Sequence, residues 1–144
     1  MSNPKSRARR CAVQAIYQWQ LTGYNLSEIE RQFIEEHGIG TAELPYFQEL
    51  LHAIPKVLDE IDQAISEYTD RAIEQIDPVE RAILRISSYE LIKRPEVPFR
   101  VAVNEGINLA KEFGATESHK FVNGLLDKIA RKHRQAETQA RHRN

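Results

Sequence analysis

The chain has 144 residues, and its 41% share of apolar side chains at that length is enough to build one domain around a real hydrophobic core. The single cysteine, Cys11, excludes an intramolecular disulfide framework and fits a reducing, cytoplasmic setting. No apolar run approaches the roughly 20 residues that span a bilayer, and no apolar signal core follows the charged N-terminus, so a soluble, unexported protein is expected.

A net charge of −1 hides a strong separation along the chain. Residues 1–10 carry Lys5, Arg7, Arg9 and Arg10 with no acid, and residues 128–144 carry six basic side chains against Glu137 alone. Residues 26–80 carry fourteen acids against Arg31, Lys56 and Arg71, whereas residues 81–127 are nearly balanced. Such asymmetry suits a molecule that meets a polyanion with one face. Charge alone leaves the other reading open, that the termini only solubilise.

The apolar periodicity is helical nearly throughout, and no alternating run with turn signals suggests a hairpin, so an all-α chain of about seven helices is expected. The first helix is predicted over Lys5 to Thr22, with Ala12, Ala15, Ile16 and Trp19 on the core face and Gly23 as its stop. Asn25 caps a second helix that runs to about His37, with Glu28 as the reciprocal member of a capping box. From Leu44 to Tyr68 an amphipathic pattern is interrupted by Pro55, which predicts either one bent helix or two adjoining ones.

A short turn of helix over Asp70 to Gln75 leads to the sharpest start in the sequence. Asp77 is a natural N-cap, Pro78 fits the first helical position and Glu80 completes the box. That helix carries Val79, Ala82, Ile83, Ile86 and Tyr89 and ends before Pro95. Pro98 opens the next, with Phe99, Val103, Gly106, Ile107, Ala110 and Phe113 inward and Gly114 as stop. Thr116 is expected to cap the last helix, with Phe121, Val122, Leu125, Leu126 and Ile129 as its stripe. The domain therefore covers residues 1–130, and the polar, basic segment 131–144 is expected to form a mobile tail.

Enzyme chemistry finds little support. The five histidines are scattered, without HExxH or another metal-ligand spacing, so neither metal nor cofactor is expected. Cys11 sits beside Ala12 near the apolar face, the usual place of a packed thiol. Gly38 and Gly40 belong to no phosphate-loop pattern.

The first helix says more. At 100° per residue, Arg7, Arg10, Gln14 and Tyr17 fall within an arc of about 80° opposite the apolar stripe. Guanidinium forks pair with phosphates, an amide reaches base edges and a phenol ring stacks on bases, the groups by which single-stranded RNA is held. The same residues are also ordinary on a solvated helix face. Lys120, Phe121 and Asn123 open the last helix near its positive end, a second place suited to phosphate, although Phe121 is also a natural core residue.

Three segments carry a family resemblance: Arg-Arg-Cys-Ala-Val-Gln-Ala-Ile-Tyr-Gln-Trp near the start, Asp-Pro-Val-Glu-Arg-Ala-Ile-Leu-Arg-Ile in the middle, and Val-Pro-Phe-Arg-Val-Ala-Val-Asn-Glu-Gly-Ile-Asn-Leu-Ala-Lys-Glu-Phe-Gly followed by Ser-His-Lys-Phe-Val-Asn-Gly-Leu-Leu-Asp-Lys. From about Arg7 to Ala130 the chain resembles the NusB family of bacterial transcription antitermination factors. The resemblance implies two small packed helical subdomains and binding of boxA RNA from ribosomal RNA leader transcripts. It also implies partnership with NusE, a small-subunit ribosomal protein, and action on elongating RNA polymerase with other Nus factors.

The resemblance assigns RNA contacts to Arg7, Arg9, Arg10 and Tyr17, and adds Glu80, Lys120 and Phe121. Glu117, an acid beside the last-helix site, is expected to weaken RNA binding by repulsion. Two departures stand out: the basic run is interrupted by Ser6 and Ala8, and the segment from about Arg131 lies outside the resemblance. Two further readings remain open, a helical protein-interaction adaptor that works through its acidic block, and an RNA-binding domain of the kind joined to RNA cytosine methyltransferases.

Overall fold

The computed structural model describes residues 3–143, with side chains described as far as Ala140. Among the described residues there are eight α-helices, a single 3₁₀ turn and no strand. Helix α1 spans Pro4–Thr22, α2 Leu26–Glu36, α3 Leu44–Lys56, α4 Leu58–Ser66, α5 Pro78–Lys93, α6 Phe99–Phe113, α7 Ser118–His133 and α8 Gln135–Arg143, with the 3₁₀ turn at Ile73–Gln75. The helices form two groups. Helix α1 packs on α2 and α3, while α6, α7 and α4 gather around α5. The long α1–α5 contact joins the groups, and one connected core runs through both.

Local chemistry sets the ends that frame the site. Asn3 Oδ1 accepts from Ser6 N at 2.8 Å, and Pro4 takes the first turn of α1, where no N–H is needed. Gly23 ends α1 with a φ of 66°, the left-handed conformation that glycine adopts without a Cβ penalty. Asp77 Oδ2 accepts from Val79 N and Glu80 N at 3.0 and 3.1 Å, so the cap itself forms as expected, but the Glu80 carboxylate lies toward Arg71 at 3.8 Å and does not complete the box. The Leu44–Tyr68 pattern resolves into two helices that meet at Val57, two residues past Pro55.

Four further local expectations need correction. Asn25 caps α2 through Ser27 N, but the Glu28 carboxylate turns to Arg31 rather than back to the cap, because an i,i+3 cation is within reach. Thr116 caps nothing: α7 begins at Ser118 after Glu117, with no side-chain cap. Gly106 and Ala110 of α6 are buried as expected, but Ala102 and Leu109 complete that line, whereas Phe99, Val103, Ile107 and Phe113 are half-buried. Two neighbours, α5 and α7, press on α6, and close approach selects its small residues for the interior.

The fourth concerns the C-terminal side of Ile129. Helix α7 continues to His133, and Arg134 is only 7% exposed. Its guanidinium donates to the carbonyls of Glu90, Leu91 and Arg94 at 2.8–3.0 Å and so caps the end of α5. Glu137, which pairs with Arg134 at 2.5 Å, accepts from Phe99 N at 3.0 Å and caps the start of α6. A segment that is polar by composition thus holds the α5–α6 corner with two charged side chains.

Candidate nucleic-acid interface

The exposed side of α1 brings together three of the four residues of the expected face. Arg10 is 44% exposed, and its Nε donates to Glu112 Oε1 of α6 at 3.0 Å. One turn on, the Gln14 amide donates to Arg10 O at 3.1 Å, and Tyr17 shows 37% of its surface to solvent. Arg7 leans toward the start of α3, where its Nε lies 2.5 Å from Glu43 Oε1. The Arg7 hydrogen bond holds the Glu43 carboxyl below the usual carboxylate range.

Arg9 has a different place. It is 2% exposed and faces inward, with its guanidinium 2.8 Å from Glu90 and 3.2 Å from Glu105. Burial works against its charge, but the Glu90 carboxylate outweighs burial and raises the guanidinium pKa. Helical geometry accounts for this placement, since position 9 is rotated well away from the 10–14–17 line.

Tyr17 and Gln14 border a groove of about 490 Å³ whose floor and walls include Leu21, Phe33, His37, Val79 and Phe113. Phe33 and His37 stack there with ring centres 4.2 Å apart. Leu21 is 54% exposed and Tyr24 66% exposed, so the apolar character of the groove extends to the end of α1. Gln20 fixes this end against α5: its amide donates to Pro78 O at 2.9 Å and its carbonyl accepts from Arg85 at 3.0 Å.

The first turn of α5 carries the surface onward from the groove. Val79 lines the groove, and the adjacent Glu80, 9% exposed, has its carboxylate 3.8 Å from Arg71. The Arg71 guanidinium lies over the Phe121 ring at 4.5 Å, and the neighbouring Lys120 pairs with Glu117 at 2.9 Å. A chain of neighbours through the start of α5 thus runs from the groove that Gln14 and Tyr17 border to Glu80, Arg71 and Phe121. Arg71, which completes the link, gave no sequence signal because it lies in a turn outside any helical stripe.

No group of three or more potential metal ligands occurs among the described residues, and no described helix is long and apolar enough to cross a membrane. Fold and face together define a helical binding protein with an exposed cationic and aromatic surface. The family model of the NusB family matches residues 6–131, and the chain belongs to that family. Membership places it among regulatory factors rather than enzymes.

A transcription antitermination protein NusB from Pseudomonas putida (strain W619) is 49% identical over 142 residues, covering 99% of this chain and 86% of the relative. T. maritima NusB superposes with a TM-score of 0.82 at 30% identity, over 92% of this chain and 94% of that one. A solved complex of the antitermination factors NusB and NusE with dsRNA contains a chain with a TM-score of 0.80 at 29% identity, over 92% of this chain and 99% of that one.

Proposed function

We propose that the protein is a non-enzymatic transcription antitermination factor of the bacterial cytoplasm. It holds boxA-type single-stranded RNA of ribosomal RNA leader transcripts together with a NusE-type ribosomal protein. The pair then acts on elongating RNA polymerase with other Nus factors. The observation that carries this reading is the exposed Arg10–Gln14–Tyr17 line beside an apolar groove. A guanidinium for phosphate, an amide for a base edge and a ring for stacking follow one another at single helical turns.

The solved relative in complex with NusE contains double-stranded RNA. The face on α1 favours unpaired bases, because an exposed ring gains most from a base not already stacked within a duplex. Arg7, Lys120 and Phe121 extend the surface on either side. Arg9 supports it from within, since its buried guanidinium is committed to Glu90 and Glu105. Glu117, paired with Lys120, competes with phosphate for that ammonium, so Glu117→Gln tightens RNA binding.

The test is fluorescence anisotropy with a short boxA-type RNA and a scrambled control, with and without the NusE-type protein, for wild type, Arg10→Ala and Tyr17→Ala. Sequence-dependent binding that strengthens with the partner, and weakens by about 1–3 kcal/mol on loss of the Tyr17 ring, is the expected result. The absence of any sequence preference in every combination overturns this reading in favour of a protein-only adaptor.

A further inference from the structure

We infer that Arg71 is a phosphate ligand for the bound RNA strand, and that Glu80 and Phe121 are the residues that position it. The inference rests on the RNA-binding reading above and assigns a role within the same surface. Arg71 follows α4 in a tight turn, where its backbone N–H donates to Thr69 Oγ1 at 3.2 Å. Its side chain is 53% exposed, yet it is held on two sides. The guanidinium carbon stands 4.5 Å from the centre of the Phe121 ring, and Nη1 is 3.8 Å from Glu80 Oε1.

The second distance exceeds hydrogen-bond length, so Glu80 attracts the charge without saturating its donors. Among the described residues, no side-chain N–H of Arg71 donates a hydrogen bond to a protein acceptor. A guanidinium stacked on a ring and steered by a carboxylate, with its fork still unsatisfied and half of the side chain open to water, is preorganised for a bidentate oxyanion.

This placement also accounts for an acid in a surface meant for a polyanion. The Glu80 side chain is only 12% exposed and sits in the first turn of α5, where the helix dipole favours its carboxylate. So shielded, it serves the neighbouring cation more than it repels the strand. Phe121, with one face covered by Arg71, is a platform for the guanidinium.

The experiment is a salt series of boxA-type RNA binding by the full chain, comparing wild type with Arg71→Ala, Arg71→Lys and Glu80→Gln. Arg71→Ala is expected to weaken binding on the order of tenfold, and to flatten the slope of log K against log salt by about 0.7, the value for one phosphate contact on a single strand. Arg71→Lys keeps the slope and loses part of the affinity, because an ammonium lacks the planar fork. Glu80→Gln weakens binding although it removes a negative charge.

Thermal melts of Arg71→Ala are expected to match wild type, since the side chain is half exposed. An unchanged salt slope in Arg71→Ala, or tighter binding by Glu80→Gln, overturns the inference. If wild type binds and Arg10→Ala weakens it while Arg71→Ala does not, this inference alone fails. If wild type binds no RNA, the functional reading fails with it.

Discussion

Arg9 Nε donates to Glu90 Oε2 at 2.8 Å, and the two side chains, 3% and 0% exposed, tie helix α1 to the central helix α5. The Tyr46 hydroxyl donates to the same carboxylate oxygen, while Glu90 Oε1 has no hydrogen-bond partner among the described residues. Glu90 thus depends on Arg9 for most of its compensation in a site without water contact. Arg9→Met is expected to cost about 3–5 kcal/mol in urea unfolding, because it strands a buried carboxylate. Arg9→Met combined with Glu90→Gln should cost less than Arg9→Met alone. Per folded molecule, RNA affinity should hardly change in the double variant; a loss matching that of Arg10→Ala would show that Arg9 contacts RNA directly.

Tyr89 extends the same buried polar region, its hydroxyl donating to Glu49 Oε2 at 2.9 Å. Burial first, and the Glu49 hydrogen bond and charge second, push the phenol up to about 12 from an ordinary value of 10.0. A pKa raised on folding means that the folded state holds the proton more tightly. The resulting stability is fully present below pH 10 and is lost as pH rises from 10 toward 12. Tyr89→Phe removes this titration, so its stability should fall less steeply than that of wild type across the same window. Parallel pH profiles of urea midpoints for the two proteins would contradict the assignment.

Close packing makes Gly106 a second sensitive point. A Cβ built there would lie 2.6 Å from Ser87 Oγ on α5 and 2.7 Å from Leu126 Cδ1 on α7. Helix propensity alone favours alanine at an interior helical position by about 1 kcal/mol. Overpacking between two fully buried neighbours works the other way, at about 1–3 kcal/mol. Gly106→Ala should therefore lower the unfolding midpoint, and Gly106→Ala with Ser87→Ala should recover part of the loss. A stabilised single variant would show that the three helices separate more easily than their packing implies.

The parts of the fold that could be read from sequence were those governed by local chemistry. Asp77-Pro78 and Gly23 act within one turn, and the heptad-like spacing of Ala12, Ile16 and Ala15 sets a face without reference to any neighbour. The face of helix α6 was legible only in part, because its interior is chosen by α5 and α7. Gly106 and Ala110 lie inside as expected, but Ala102 and Leu109 are inside because of what approaches them, while Val103 and Phe113, more apolar in pattern, pack against the core from its edge. In the candidate site, the 10–14–17 line followed from helical geometry, which also separates Arg9 from it. Arg71 was invisible, because its role depends on Phe121, fifty residues away in sequence and brought beside it by the packing of α7 on α4 and α5.

The C-terminal segment separates stability from charge in one pair of truncations. Arg134 spans the last carbonyls of α5, and Glu137 caps α6, so a chain ending at His133 loses both caps of that corner. Hydrogen bonds from a charged donor contribute about 1.5–3 kcal/mol each where buried, and several share one guanidinium here. The truncation is expected to cost about 2–4 kcal/mol, and Arg134→Ala a similar amount. A chain ending at Ala140 keeps both caps and removes Arg141 and Arg143, so its stability should match wild type. If the basic end adds non-specific attraction to RNA, the Ala140 truncation should flatten the salt dependence of binding. Equal slopes in the two proteins would confine the electrostatic footprint to α1, Arg71 and the start of α7.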